Sequence, residues 1–373
     1  MKKNLASVEL SYILKELDEL IDSKLDKIYH IGKNVFLFQF YITGKGKKNL
    51  RISVPDYLCI TGYKGEAPET PSQLCMLLRK NIEQARLRKI RQLYSERIIE
   101  LLFEKQEKKK VFIELFDQGN LIICDENDTI ISALLKKKWK DRTIRGGIKY
   151  EFPKRETNFF DLDEKELENL FENTQKDSIV TCLAIELGLG GVYAEEVCLL
   201  AGIEKKAKPK DTIKKTGEIL KAINNSLNKK TKANYVMDKN GIIDIVPFEL
   251  EHYKSFDKKY FKSYNQAVDS YFSKEIKENE TSSGSREYEK GIRKIEKIIS
   301  DQKNKIKSMR DSIDENNRKA ELIYSNYNFV KEIIDELRKA REKYSWKEIK
   351  EKLKEHKVIK EINEKEGKVT IEI

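Results

Sequence analysis

The chain has 373 residues, of which 37% are charged, with a formal net charge of +11 from 74 Lys+Arg against 63 Asp+Glu. That length allows two or three domains, and the basic surplus favours polyanionic partners, although at this density most charges sit on solvated faces. No apolar run approaches the roughly 18 residues that span a bilayer, and Glu9, Lys15 and Glu16 interrupt any secretory core, so a cytoplasmic protein without a membrane partner is expected.

The first region reads as mixed α/β. Residues 10–25 have helical spacing, with Leu10, Ile13, Leu14, Leu17, Leu20 and Ile21 on one face. Strands follow at 27–31, 35–41 and 50–54, with Lys45-Gly46-Lys47-Lys48 as a hairpin tip. Residues 72–88 read as a helix capped by Ser72. Further strands are expected at 98–104, 110–115, 120–124 and 129–134. Asp117-Gln118-Gly119-Asn120 is a turn, and Arg145-Gly146-Gly147 a loop.

Beyond a short helix at 163–171, Leu187-Gly188-Leu189-Gly190-Gly191-Val192-Tyr193 is the most informative stretch. It lies between two apolar segments of helical spacing and reads as helix, glycine hairpin, helix. Gly188, Gly190 and Gly191 leave no side chain in the way of a ligand, and amides opening the second helix can hold a phosphate. A tight turn between two core helices accounts for the same residues, so the motif alone is evenly divided. A lysine-rich stretch at 205–215, a helix through Leu227, a strand pair around Asp238-Lys239-Asn240-Gly241 and a short helix at 265–272 complete this part.

Thr281-Ser282-Ser283-Gly284-Ser285 reads as a break, and heptads follow it. Ile292, Ile299, Ile306, Ile313, Ala320, Tyr327 and Ile334 recur every seven residues. Ile295, Met309, Ile323, Val330 and Leu337 fill a second seam that only Gln302 and Asn316 interrupt. This is the pattern of a coiled-coil arm, and near fifty helical residues reach on the order of 75 Å. Its seam must pack on something, so a homodimer through the arm is one expectation. Residues 346–353 read as one more helix, and 367–373 alternate like a strand.

Several of these stretches together resemble the NFACT family, the ribosome quality-control factors known as RqcH in bacteria and NEMF in animals and often labelled fibronectin-binding-protein-A-like. Ser72-Gln73-Leu74-Cys75-Met76-Leu77-Leu78-Arg79-Lys80 is similar to its Met-Leu-Arg-Lys helix, and Gln92 to Ile98 to its Gln-x-x-x-Asp-Arg-Ile motif. Gly119-Asn120 and Arg145-Gly146-Gly147-x-x-Tyr150 match its N-terminal domain. Pro247-Phe248 and the segment 263–272 resemble the approach to its coiled coil, and 320–327 with Trp346-Lys347-Glu348-Ile349 its outer arm and tip. The resemblance covers essentially the whole chain.

The resemblance implies an α+β protein. It would comprise a formamidopyrimidine-DNA-glycosylase-like domain at 1–175, a helix-hairpin-helix region with returning strands at 176–275, a coiled-coil arm at 276–345 and an arm tip at 346–373. It implies binding to the large ribosomal subunit with its rRNA and stalled peptidyl-tRNA, and holding of a tRNA, alanine tRNA first, for template-free tailing. The ribosome would do the peptide transfer, so no enzyme, cofactor or metal is implied. The nucleic-acid contacts carried over are Glu9, Arg79, Lys80, Glu96, Arg97, Arg145, Gly146 and Gly147, with Gly188, Gly190 and Gly191 of the hairpin. Two positions depart from the family: Glu9 and Glu96 stand where it usually has Asp. The family's later RNA-binding domain and the helix returning along the arm do not follow here, so an N-terminal piece or a short member is expected.

From the residues alone, Glu96-Arg97 would be a solvated ion pair after a helix rich in Arg86, Arg88, Lys89 and Arg91, and Arg79 with Lys80 a helix-surface pair. Catalytic readings are weak. His30, His252 and His356 are scattered, and Cys59, Cys75, Cys124, Cys182 and Cys198 form no Cys-x-x-Cys pair and read as core residues. No Gly-x-x-x-x-Gly-Lys loop is present. Glycosylase chemistry would need an N-terminal proline amine, whereas this chain begins Met1-Lys2-Lys3. A DNA-binding protein and a surface adhesin are the remaining alternatives; the absent signal segment argues against the latter.

Overall fold

The computed structural model describes residues 2–65, 67–139, 142–153, 157–354, 356–363 and 366–372, and the side chains at 275 and 277–294 fall outside it. In chain order the first part runs α1 (Ser7–Leu17), β1 (Lys24–Ile31), β2 (Val35–Ile42), β3 (Gly46–Ser53), β4 (Tyr57–Thr61), α2 (Gln73–Ile82), β5 (Arg86–Gln92), β6 (Ile98–Glu104), β7 (Lys108–Glu114), β8 (Asn120–Cys124) and β9 (Ile130–Ala133). Two short strands, β10 (Lys137–Lys138) and β11 (Thr143–Ile144), follow. Next come α3 (Glu164–Asn173), α4 (Ile179–Thr181) with a π-helical turn at Cys182–Glu186, α5 (Gly191–Leu200) and α6 (Thr216–Leu227). The last elements are β12 (Asn234–Asp238), β13 (Gly241–Val246), β14 (Asp257–Tyr260), α7 (Tyr264–Ser325), α8 (Tyr327–Lys343), α9 (Trp346–Lys352), β15 (Ile359–Asn363) and β16 (Lys368–Ile371). The chain divides into two compact units, Met1–Glu278 and Asn279–Ile373.

Within the first unit, β1 to β9 form one antiparallel sheet in the order β4-β3-β2-β1-β5-β6-β7-β8-β9. It consists of two meanders joined where β1 meets β5 at Lys24↔Arg86, with further backbone bonds from Asp22, Ser23 and Leu25 to Gln84, Ala85 and Leu87. Alternation along the strands sorts side chains between two cores. Ile99, Leu101 and Phe103 of β6 enter the main core with α1 and α2, whereas Ile98, with Ile122 and Cys124 of β8, enters a smaller one around Phe112 and Tyr150. The main core continues without a break through Leu183, Tyr193, Ile223, Val246 and Tyr264. It therefore spans residues on both sides of position 175.

Several family-like motifs prove to be packing devices. A Cβ on Gly119 would lie 2.8 Å from the Pro55 backbone, so only glycine fits this turn. Asn120 beside it ties Leu121 and Leu135 through its side-chain amide. Asn265 binds both backbone groups of Ile60, at 2.7 and 2.9 Å, and anchors the start of α7 on β4.

Three expected elements need correction. The helix expected over 10–25 ends with α1 at Leu17 and a 3-10 turn at Asp18–Leu20; Ile21 is extended and Leu25 lies on β1. The helix expected over 72–88 stops at Ile82: Glu83 is extended, Gln84 sits at a φ of 70°, and the chain re-enters as β5. Arg86, Arg88 and Arg91 therefore lie on a strand, where Leu87 and Ile90 face inward. The break expected at 281–285 is absent, since α7 runs from Tyr264 to Ser325. The seam position Ile292 lies outside the described side chains. Among the described ones, Ile295, Ile299, Ile306, Met309, Ile313 and Ile323 are exposed. The helix is interrupted instead at Asn326, between α7 and α8. Beyond it Val330 and Leu337 are buried, and Leu337 joins Ile333, Ile349, Ile359 and Ile362 in a small core of the second unit.

Candidate nucleic-acid interface

A cleft of about 830 Å³ opens in the first unit where several parts of the chain meet. They include the segment leading into α1, the β5–β6 hairpin tip, the start of α5, and β13. Six of the eleven residues singled out from the sequence line it: Glu9, Glu96, Arg97, Gly188, Gly190 and Gly191.

The hairpin tip is closed by Leu93, whose amide donates to Ile98 O at 2.9 Å, and Glu96 and Arg97 lie on it. Gln92 locks the tip from below. Its Nε2 donates to Glu96 O at 2.9 Å and to Ser7 Oγ at 2.8 Å, and Ser7 Oγ donates to Ser95 O at 2.6 Å. The orientation of the Glu96–Arg97 pair is thus set by the N-terminus of α1, some 90 residues earlier. Glu96 is buried and Arg97 partly buried.

Across the cleft stands the glycine hairpin. Gly188 and Gly190 both have φ of 83°, and Gly190 combines this with ψ of 160°, a region closed to residues with a Cβ. The Gly190 amide donates to Ala184 O at 3.1 Å, so it is committed within the hairpin. The groups a helix start leaves without an intrahelical acceptor begin at Gly191 and Val192, and both residues line the cleft. Space around a Gly191 Cβ is open.

The floor holds a buried ionic cluster. Lys2 Nζ lies 2.6 Å from Glu9 Oε1 and 2.7 Å from Asp244 Oδ1. Tyr193 donates to Glu9 and Tyr253 to Asp244, each at 3.0 Å, and Ala6 N donates to Glu9 Oε2 at 2.8 Å. Burial alone would lower the Lys2 pKa, but Glu9 and Asp244 outweigh it and the ammonium stands above its ordinary value. Glu9 is 1% exposed, so its carboxylate is engaged by these groups. Among the described lining residues, the cations Lys2, Lys3 and Arg97 match the acids Glu9, Glu96 and Asp244 in number.

The other five residues lie elsewhere. Arg79 donates from Nε and a terminal nitrogen to Ile28 O, at 2.9 and 2.7 Å, and its guanidinium lies 5.9 Å from the Tyr29 ring centre. Lys80 is exposed on the same helix. Arg145, Gly146 and Gly147 form an exposed turn whose Gly147 amide donates to Ile130 O at 2.8 Å. Sequence reasoning missed Lys2, Lys3, Asp244 and Tyr253. Only Asp244 left a trace: an acid inside the apolar run Ile242-Ile243-Asp244-Ile245-Val246.

Among the described residues no group of three or more His, Cys, Asp or Glu is placed to hold a metal, and no helix is long and apolar enough to cross a membrane.

An antiparallel sheet joined to a helical region through one core, with a glycine hairpin and an arginine tip facing each other, defines a mixed α/β protein with an open, polar cleft. A profile described as NFACT N-terminal and middle domains matches residues 7–372, and the chain belongs to that family. It is similar to the archaeal Rqc2 homolog aRqcH of Methanocaldococcus jannaschii, 32% identical over all of this chain and 58% of that protein. It also resembles the ribosome quality control complex subunit NEMF homolog of Drosophila melanogaster, 23% identical over 95% of this chain and 42% of that one. The chain thus spans about half the length of these relatives. In fold it is similar to the fibrinogen binding protein from Staphylococcus aureus, with a TM-score of 0.60 over 72% of this chain and 98% of that one at 18% identity.

Proposed function

We propose that the chain acts in ribosome quality control: it binds a large ribosomal subunit carrying a stalled peptidyl-tRNA and holds a tRNA, alanine tRNA first, for template-free tailing. The observation that carries this reading is the meeting of the Glu96–Arg97 tip with the start of α5 in one cleft. A planar guanidinium donates in pairs to phosphate or base edges, and a carboxylate accepts from a base amino group. Helix-start amides suit a phosphate. The described charges of the cleft are matched in number, which suits selection more than general attraction. General attraction to RNA comes from exposed lysines after α5, among them Lys205, Lys206, Lys208 and Lys210. The names of the relatives support the process.

In fold terms this is a glycosylase-like domain bearing a helix-hairpin-helix, followed by a coiled-coil arm that pairs with a second copy. The chain works in the cytoplasm and leaves peptide transfer to the ribosome.

Cross-linking in cells followed by sequencing tests the reading. Large-subunit rRNA with one dominant tRNA is expected; DNA, or no nucleic acid, would overturn it. Arg97→Ala should cut tRNA recovery, with a loss of about 1.5–3 kcal/mol in binding, and leave rRNA recovery near wild type. Equal tRNA recovery with the variant would remove Arg97 from the interface.

A further inference from the structure

A second cleft, of about 440 Å³, lies against the other side of the same hairpin tip. Tyr94 and Phe152 line this one, while the next residues along, Glu96, Arg97 and Pro153, line the first. The two clefts therefore share one wall. The second is floored by an aromatic ladder that rises from the smaller core. Phe112 stacks on Tyr150 at 4.3 Å between ring centres, Tyr150 lies 6.4 Å from Phe152, and Phe152 lies 5.9 Å from Tyr94. Tyr94 ends the ladder at the surface with 52% of its area exposed. Its φ is 52°, a left-handed conformation that a bulky residue rarely adopts. Backbone strain of this kind gathers where a side chain has a task.

The chemistry of the walls selects the occupant. Among the described lining residues the acids Glu100, Asp128 and Asp161 stand beside the cations Arg91 and Lys110. Arg91 is paired with Glu100 at 2.8 Å and Lys110 with Asp128 at 2.7 Å. A flat, uncharged ring with amino donors on its edge would meet an aromatic face and carboxylate acceptors.

We propose that this second cleft takes the unpaired base of a single-stranded nucleotide, stacked on Tyr94. The proposal rests on the RNA-binding reading above: Tyr94 and Arg97 stand on one hairpin tip and line the two clefts, so a strand held at Arg97 would pass the shared wall. Stacking on an aromatic ring tolerates any base, so this contact adds affinity for single strands while Glu96 and Arg97 supply selectivity.

The test uses the full chain and two single-stranded octaribonucleotides, one of adenylates with 2-aminopurine at a central position, the other with abasic sites throughout. The base-bearing strand should bind roughly tenfold or more tightly than the abasic one, with quenching of the 2-aminopurine fluorescence. Tyr94→Asn removes the ring while suiting the left-handed backbone, and should abolish the quenching and shrink the difference between strands. Tyr94→Phe should keep both. Arg97→Ala should weaken both strands and leave the 2-aminopurine quenching of the bound strand in place. A Tyr94→Asn protein that still prefers the base-bearing strand as the wild type does would overturn the stacking site and leave the RNA-binding reading standing. Failure of the wild type to bind either strand would overturn that reading and this site with it.

Discussion

The two units handle their apolar residues in opposite ways. In the first, the isoleucines and phenylalanines of β1 to β8 are almost all buried, and even a lysine and two carboxylates are drawn into the floor of the cleft. In the second, Ile306 and Ile313 are 54% and 57% exposed along α7, and among the described side chains only a small cluster around Leu337 and Ile349 is closed off. The contrast separates two kinds of order. The first unit is held by contacts between residues far apart in the chain. The arm is held by its own helical hydrogen bonds, and its apolar seam still asks for a partner.

The sharpest way to break this contrast is to damage the buried cluster. Lys2→Met leaves Glu9 and Asp244 facing one another without a counter-charge. Removing one member of a buried pair typically costs about 3–5 kcal/mol. Hydrogen exchange read by mass spectrometry resolves the two units, and protection of β1 to β8 should fall by that amount while α8 and α9 are unaffected. Unchanged protection in the sheet would mean that Lys2 does not hold the floor together.

A smaller effect separates structure from binding within the hairpin. Any side chain at Gly190 must adopt a backbone region closed to it, so Gly190→Ala should destabilise the first unit by about 1–3 kcal/mol. Gly191 is ordinary helical backbone with open space around it. Gly191→Asp should therefore fold normally, because an acid suits the first turn of a helix. It should still weaken RNA binding by setting a like charge at the amides. Normal affinity in Gly191→Asp would reduce the glycine motif to a turn.

What could be read from the sequence follows the same division. Periodicity placed β6, β8 and α6 to within a residue or two, because each is a local pattern of burial. It failed at 83–88, where a left-handed Gln84 turns a basic helix-like run into a strand. It failed again at 281–285, where small polar residues within a long helix look like a linker. The cleft was half legible. Glu96, Arg97 and the hairpin glycines stood out by their types, but nothing local brings Lys2 to Asp244 across 242 positions of sequence. Nor could spacing say that Glu9 would be sealed beneath the cleft, or that the Arg79 guanidinium would be occupied by the carbonyl of Ile28.

The arm offers the smallest perturbation of the first unit and the most direct question about the second. If its seam pairs with another copy, the protein should sediment as a dimer whose population rises with concentration. Lysines in place of Ile306 and Ile313 would put four charges into that seam, two from each chain, and should yield a monomer. Both side chains are exposed in the single chain, so the substitutions remove little packing of their own. Protection in β1 to β8 should stay within about 0.5 kcal/mol of wild type, as for surface changes generally. A wild-type monomer at high micromolar concentration would reject pairing between copies and leave the seam open to a different partner. A loss of sheet protection in the double variant would show instead that the two units are energetically coupled, and the contrast drawn between them would fall.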